Sequence, residues 1–167
     1  IRANGLEGGK ITAYHIGFVL GPCINASGRL DTAARSLALF DEEDPDRAAK
    51  IAGDLASLNE SRKALTEKGK EEAIRQVEET SVGADRVLVI YLPECHESLA
   101  GIIAGRIREK YYKPVIVLTK GEHGVKGSGR SIEAYSMFDE LVKCADLLEQ
   151  FGGHPMAAGL SLAEDRV

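Results

Sequence analysis

The feature that most limits the fold of this chain is a pair of apolar, β-branched runs on either side of a helical pattern. The runs occupy residues 87–91 and 114–119, and residues 99–110 between them repeat apolar side chains at helical spacing. Parallel strands that are buried on both faces read as continuous apolar runs, and the crossover that joins them is usually a helix. The order strand, helix, strand therefore predicts a β-α-β unit and an α/β domain at residues 82–167.

Composition agrees with an α/β domain. The chain has 167 residues, 44% of them hydrophobic, with no Trp and few other aromatic residues, so the core must rest on aliphatic side chains. No apolar run approaches the roughly 20 residues that cross a bilayer, so we expect no membrane partner and a cytoplasmic location. The three Cys residues are widely spaced, which predicts neither a disulfide framework nor a zinc site.

The first half of the chain has a helical pattern. Asp44-Pro45 is a typical helix start, and a narrow apolar stripe continues to about residue 80, with Gly69 as a candidate kink. A helix at 45–80 would span roughly 50 Å, which is the length of a connector. Within residues 1–44, the helical spacing of apolar side chains predicts two short helices, at 10–19 and 30–38, joined by the turn GPCINASGR.

Three short segments have residues suited to phosphate binding. In GVKGSGRS (124–131), Gly127 and Gly129 are expected to let a loop backbone approach a phosphate, while Ser128 and Arg130 donate hydrogen bonds. This segment lacks the G-K-[ST] ending of a Walker loop. A plain hairpin connection remains the alternative.

The other two segments are FGGHPMAAG (151–159) and GPCINASGRL (21–30). Paired glycines before His154 indicate a tight turn leading into a short helix, where the imidazole would meet a phosphate oxygen. Arg29 is suited to a bidentate phosphate contact. A buried His that caps a helix, and a capping turn with an incidental Arg, are the alternatives.

The distribution of charge keeps a nucleic-acid partner possible despite the net charge of −5. Residues 41–80 contain twelve acidic and seven basic side chains, which accounts for the whole excess. Residues 106–130 contain seven Lys or Arg against two Glu. This stretch predicts a basic face, with a solvated helix face as the alternative.

Together the motifs resemble those of RecJ exonucleases. GPCINASGRL is similar to their G-P-R-[IL]-N-A-x-G-R motif, and HESLAGIIAGRIREKYYKPVIVL, GSGRS and FGGHPMAAG resemble, in order, the later motifs of their DHHA1 domain. The resemblance implies a DHHA1-type domain with a central mixed sheet flanked by helices, and single-stranded DNA between it and a DHH domain. It also implies nucleic-acid or phosphate contacts by Asn25, Arg29, Ser128, Arg130, Ser131, Gly152, Gly153 and His154. Cys23 stands where the family usually has Arg, and Cys95-His96 where an aromatic residue often precedes the His.

The resemblance further implies a division of labour within a longer protein. Residues 1–44 would end the DHH domain, 45–80 would connect it to the DHHA1 domain, and 82–167 would form that domain. The Mn²⁺ or Mg²⁺ ions would be held by the DHH domain, because this chain has no D-H-H tripeptide and only four scattered His residues. We therefore expect a 5′-to-3′ exonuclease of DNA repair and recombination whose isolated piece is inactive and holds no metal.

Two other functions fit the sequence. A short-oligonucleotide or cyclic-dinucleotide phosphodiesterase of the same superfamily also carries a GGH turn. A non-catalytic interaction module would need the glycines only for its fold.

Overall fold

The structure is a computed structural model that describes residues 1–167. The chain separates into two compact units, Ile1–Ala64 and Leu65–Val167. The three-part division at 1–44, 45–80 and 82–167 concerns domains of a longer protein, and it stays a prediction.

The first unit is helical. It contains a 3-10 turn at Arg2–Asn4, helix α1 (Ala13–His15), a π-helical stretch at Ile16–Leu20, α2 (Gly21–Leu30), α3 (Ala34–Asp41) and the start of α4 (Pro45–Glu79). The predicted turn GPCINASGR is wrong, because this segment is helix α2. The helical backbone continues through Pro22 because the π-helical turn precedes it, with the Gly21 amide donating five residues back to the carbonyl of Ile16.

Helices α2 and α3 meet through small polar side chains. The hydroxyls of Ser27 and Ser36 lie 2.7 Å apart, and each lies within hydrogen-bonding distance of the carbonyl oxygen of Ile24. Both serines are buried, and Ala26 beside them is fully buried. Small side chains thus let the two helices approach closely while their hydroxyls stay satisfied.

Helix α4 begins where the sequence predicts. The Asp44 carboxylate accepts hydrogen bonds from the amides of Asp46 and Arg47, at 2.9 and 3.0 Å, which is the geometry of an N-cap. The helix runs unbroken for 35 residues, so Gly69 does not end it, and the candidate kink there stays a prediction. Gly69 also allows close packing, because a Cβ there would lie 2.6 Å from Cδ1 of Ile103.

The second unit is built on a five-stranded mixed sheet. Its elements are β1 (Leu88–Tyr91), α5 (Glu97–Tyr111), β2 (Val115–Lys120), β3 (Val125–Arg130), α6 (Met137–Lys143), β4 (Gln150–His154) and β5 (Ala157–Leu162), with 3-10 turns at Ser81–Ala84, Ala145–Leu147 and Glu164–Arg166. The strand order is β1-β2-β3-β5-β4. Only β1 and β2 are parallel, and α5 connects them. The predicted β-α-β unit and the α/β fold are confirmed.

The sheet has two faces with different coverings. On the first face, the C-terminal half of α4 and helix α5 cover β1, β2 and β3, forming a core of Ala73, Val77, Leu88, Ile90, Leu92, Leu99, Ala100, Ile103, Ala104, Ile107, Val115 and Val117. On the second face, α6 packs on β4 and β5, and the core there comprises Leu118, Val125, Met137, Leu141, Ala158, Leu160 and Leu162. Strands β4 and β5 carry exposed residues on the first face.

Two local predictions in this unit are wrong. The glycine-rich loop predicted at 124–131 is strand β3. The segment FGGHPMAAG is a β-hairpin of β4 and β5, so no short helix follows His154. Strand pairing decides both, because β3 gains its hydrogen bonds from β2 and β5, and β4 gains its hydrogen bonds from β5.

Candidate nucleic-acid interface

Strand β3 directs its polar side chains to the first face of the sheet. Ser128 pairs with Val117 and Arg130 pairs with Val115, and both partners lie in the core beneath α5. Directly opposite residues of paired strands point to the same face. Ser128 and Arg130 are therefore on the α5 side, and both are partly exposed.

The glycines of β3 serve the opposite face. A Cβ on Gly127 would lie 2.7 Å from Cδ1 of Leu160, and one on Gly129 would lie 3.1 Å from Cγ of Met137. These positions hold glycine because the second core leaves no room. The expectation that Gly127 and Gly129 bring a loop close to a phosphate is wrong.

Strand register brings His154 to the same face as Arg130. Arg130 pairs with Ala157, and Ala157 pairs with His154. The three residues form one row across β3, β5 and β4, and with a strand spacing of about 4.8 Å the outer two backbones lie roughly 10 Å apart. An Arg and a His at the ends of such a row can both reach a phosphate placed over its middle.

A second row lies beside the first. Ser128 pairs with Gly159, and Gly159 pairs with Gly152. The two rows together, Ser128, Arg130, Gly152, His154, Ala157 and Gly159, are called the open face below. Gly152, His154 and Gly159 are exposed on it.

The glycines of the open face have no packing reason to be glycine. A Cβ on Gly152 would meet nothing within 4 Å, and one on Gly159 would meet only a backbone oxygen of Gly127 at 4.0 Å. Their backbone is thus bare toward solvent, which suits the close approach of a ligand. Gly159 is not among the predicted site residues, although it ends the quoted motif FGGHPMAAG. Its role is visible only once the strand register pairs it with Gly152.

Gly153 differs from its neighbour. Its φ is +153°, and a Cβ there would lie 2.3 Å from the carbonyl oxygen of Ala157 and 2.6 Å from Cα of Ala158. The hairpin therefore requires glycine at this position, and the nucleic-acid contact expected of Gly153 stays a prediction.

The His154 ring is oriented by the hairpin turn. Its Nδ1 accepts a hydrogen bond from the amide of Met156 at 3.3 Å. In the neutral ring the proton then lies on Nε2, which is a donor. The turn itself is anchored, because the amides of Met137 and Ser131 donate to the carbonyls of Pro155 and Met156, both at 2.9 Å.

Arg130 lies between its own strand and helix α5. Its Nη1 donates to the carbonyl of Gly129 at 2.7 Å. Its guanidinium also lies against Gly101 of α5. The side chain is therefore held near the surface of the open face.

Ser131 does not lie on the open face. It is fully buried, and its hydroxyl donates to the carbonyl of Tyr135 at 2.5 Å. A buried and bonded hydroxyl cannot donate to a ligand phosphate. The expected phosphate contact by Ser131 is therefore replaced by a structural role.

Asn25 and Arg29 belong to the first unit. They lie four residues apart on α2, so they share one helix face. Asn25 is exposed and Arg29 is half-buried. Cys23 is buried, with its thiol directed at Asn4 and the carbonyl of Val19, so it presents no side chain to solvent.

The segment around Cys95 is also structural. Burial raises the pKa of the Cys95 thiol. His96 is the N-cap of α5, where its side chain accepts from the amide of Ser98. Neither departure from the family motifs lies on the open face.

The cations of residues 106–130 do not form one continuous basic face. Carboxylates pair with Arg106, Arg108, Lys110 and Lys120, and Lys113 donates to backbone carbonyls. Lys110 and Tyr111 both donate to Glu78, which lowers the pKa of that carboxyl. Among the strand cations, Lys126 and Arg130 share the side of β3 that leads to the open face.

The residues present do not fit a pair of divalent ions. Nowhere in residues 1–167 do three or more His, Cys, Asp or Glu side chains come together in a way that could hold a metal.

None of the helices is long and apolar enough to cross a membrane.

Known proteins resemble the chain over nearly all its length. RecJ, the single-stranded-DNA-specific exonuclease of Escherichia coli K12, is 39% identical over 165 residues, which is 94% of this chain and 29% of that protein. The Bacillus subtilis 168 protein of the same name is 37% identical over 169 residues, which is 99% of this chain and 21% of that protein. This chain thus spans less than a third of these relatives.

Solved structures show the same likeness. RecJ from Thermus thermophilus in complex with Mn²⁺ matches 98% of this chain and 24% of that chain, with a TM-score of 0.86 and 31% identity. An exonuclease RecJ bound to manganese matches 98% of this chain and 40% of that chain, with a TM-score of 0.83 and 30% identity. The family profile described as the DHHA1 domain matches residues 84–167. With the sheet, the open face and the GGH hairpin all inside that range, the chain belongs to the DHHA1 domain family.

Proposed function

We propose that this chain is the nucleic-acid-binding C-terminal part of a RecJ-type 5′-to-3′ single-stranded DNA exonuclease. The observation that carries the proposal is the open face. It combines a guanidinium, a hydroxyl and an imidazole with exposed glycines for which the fold has no need. The names of the relatives support single-stranded DNA as the ligand.

The open face suits the sugar-phosphate backbone. Arg130 offers a forked pair of N–H donors, Ser128 a hydroxyl, and His154 its Nε2–H, and all three are common phosphate donors. Gly152 and Gly159 let the DNA strand approach the sheet closely. Contacts of this kind position a nucleic acid without reading its bases, which fits relatives named for single-stranded DNA and for no base sequence.

Asn25 and Arg29 are proposed as further phosphate contacts of the first unit. Their spacing puts an amide and a guanidinium on one side of α2. Within the longer protein, the DHH domain is the proposed partner of this chain, and DNA repair and recombination in the cytoplasm is the proposed setting.

Hydrolysis is proposed to occur in the DHH domain with Mn²⁺ or Mg²⁺. Neighbouring RecJ structures are described with these ions. A divalent pair would stabilise the attacking and leaving oxygens of the phosphodiester. Residues of this chain would only hold and orient the strand, so the isolated chain is expected to be inactive.

A binding titration tests the proposal. The purified chain is titrated into a fluorescently labelled, 5′-phosphorylated single strand and into the same sequence as a blunt duplex. We expect saturable binding to the single strand, weaker binding to the duplex, and no release of nucleotides with excess Mn²⁺. Equal affinity for both forms, or no binding to either, would contradict the proposed function and favour an interaction module.

A further inference from the structure

We propose that Gly101 of helix α5 is a positioning residue for Arg130, because its missing side chain forms the seat in which the guanidinium lies. The inference rests on the proposed phosphate contact of Arg130. It adds a residue on another element to the phosphate-binding arrangement.

The geometry of the seat is direct. A Cβ on Gly101 would lie 2.6 Å from Nη2 of Arg130, 3.3 Å from its Cζ and 3.5 Å from Oγ of Ser128. Non-bonded carbon atoms are comfortable at about 3.5–4.0 Å. The guanidinium therefore occupies space that any side chain at position 101 would take.

No other feature of the fold requires glycine at this position. Gly101 lies inside the 15-residue helix α5, and its φ is not positive. Glycine in a helix interior is less stable than alanine. The three atoms nearest to its virtual Cβ all belong to Arg130 and Ser128. The destabilising glycine thus lies where it leaves room for Arg130 and Ser128, two of the three donors of the open face.

The seat completes a clamp on the guanidinium. Its Nη1 is fixed by the carbonyl of Gly129 at 2.7 Å, and its Nη2 side lies on Gly101. A guanidinium held in this way loses less side-chain entropy on binding a phosphate than a freely rotating one does. Because the clashing atoms are the end of a flexible side chain, Gly101→Ala should move Arg130 and leave the fold intact.

Gly105 gives a matched control. It lies on the same helix, and a Cβ there would meet nothing within 4 Å. Gly101→Ala and Gly105→Ala therefore make the same chemical change in the same helix, and only the first displaces the guanidinium. Both variants should unfold at or above the temperature of the unchanged chain.

The test measures the affinity of the chain for a 5′-phosphorylated single strand. Arg130→Ala should weaken binding roughly tenfold or more, as expected for a lost hydrogen bond to a charged group. Gly101→Ala should lose part of this affinity, Gly105→Ala should bind within about twofold of the unchanged chain, and Gly101→Ala should add no further loss in the Arg130→Ala background. In ¹H–¹⁵N spectra, the Arg130 Nε–H signal should shift in Gly101→Ala and stay in place in Gly105→Ala.

Two results would overturn the inference and leave the phosphate contact of Arg130 in place. The first is a Gly101→Ala chain that binds the single strand normally while Arg130→Ala binds it weakly. The second is a Gly101→Ala substitution that lowers the affinity as much in the Arg130→Ala chain as it does in the unchanged chain. Normal binding by Arg130→Ala would overturn the proposed phosphate contact, and the inference with it.

Discussion

Adjacent glycines in the GGH segment should respond in opposite ways to substitution. Gly153 has a φ of +153°, and its Cβ would lie 2.3 Å from the carbonyl oxygen of Ala157. Neither atom can move without opening the β4–β5 hairpin, so Gly153→Ala should cost about 1–3 kcal/mol of unfolding free energy. Gly152→Ala places its methyl in open space, so its stability should change by no more than about 0.5 kcal/mol.

Binding should show the reverse order. Gly152→Val raises a branched side chain at the β4 end of the open face, and it should weaken single-strand binding more than Gly153→Ala does per folded molecule. Urea unfolding followed by circular dichroism gives the stabilities, and anisotropy of a labelled strand gives the affinities. If Gly152→Ala destabilises the chain as much as Gly153→Ala, or if Gly152→Val binds normally, the distinction between the two glycines is wrong.

Three further substitutions test other parts of the second unit. Gly69→Ala should destabilise the unit by about 1–3 kcal/mol, because its methyl would lie 2.6 Å from Cδ1 of the fully buried Ile103. Ser131→Ala should cost about 1–3 kcal/mol by leaving the carbonyl of Tyr135 without its donor, and affinity per folded molecule should not change. Glu78→Gln should lower the melting temperature more at neutral than at acid pH, because the stabilisation from a carboxyl with a lowered pKa is present above its usual pKa and is lost as the pH falls.

Each of these has a comparison that exposes an error. Gly53→Ala, which meets nothing within 4 Å on the same helix as Gly69, should keep or raise stability. A Ser131→Ala chain that is stable but binds the single strand weakly would show that Ser131 contacts the phosphate. If Glu78→Gln lowers the melting temperature equally at every pH, the lowered pKa of the Glu78 carboxyl is not the source of its stabilisation.

The β-α-β unit and the start of α4 could be predicted because their signals are local. Apolar runs at 87–91 and 114–119 are long enough to indicate strands, and Asp44-Pro45 combines a cap with a residue that favours the first turn. Each signal depends on neighbouring residues alone. Tertiary contacts then had only to agree with them.

The open face could be predicted only in part because the glycines on it and beside it in the same strands are glycine for different reasons. Gly127 and Gly129 are small because of Leu160 and Met137, which are distant in sequence. Gly153 is fixed by its backbone conformation, while Gly152 is left open. Sequence spacing cannot separate these causes, because the residue is glycine in every case.

The prediction for the helical motif of the first unit is wrong for a related reason. Glycine followed by proline usually ends a helix, but here a π-helical turn precedes the pair. A Cβ at Gly21 would lie 2.9 Å from the carbonyl oxygen of Ile16, so the glycine serves that turn. The backbone arrangement, which the sequence does not display, reverses the usual meaning of the dipeptide.

The salt dependence of single-strand binding tests the central claim most directly. Each phosphate neutralised on a single strand releases roughly 0.7 counterion, so Arg130→Ala should flatten the slope of log affinity against log salt by about that amount. Lys143→Ala removes an equal charge from α6, on the other face of the sheet, and should leave the slope unchanged. A flattened slope in Arg130→Ala alone is the predicted result. Identical slopes for Arg130→Ala and the unchanged chain would contradict the claim that the open face holds the DNA backbone.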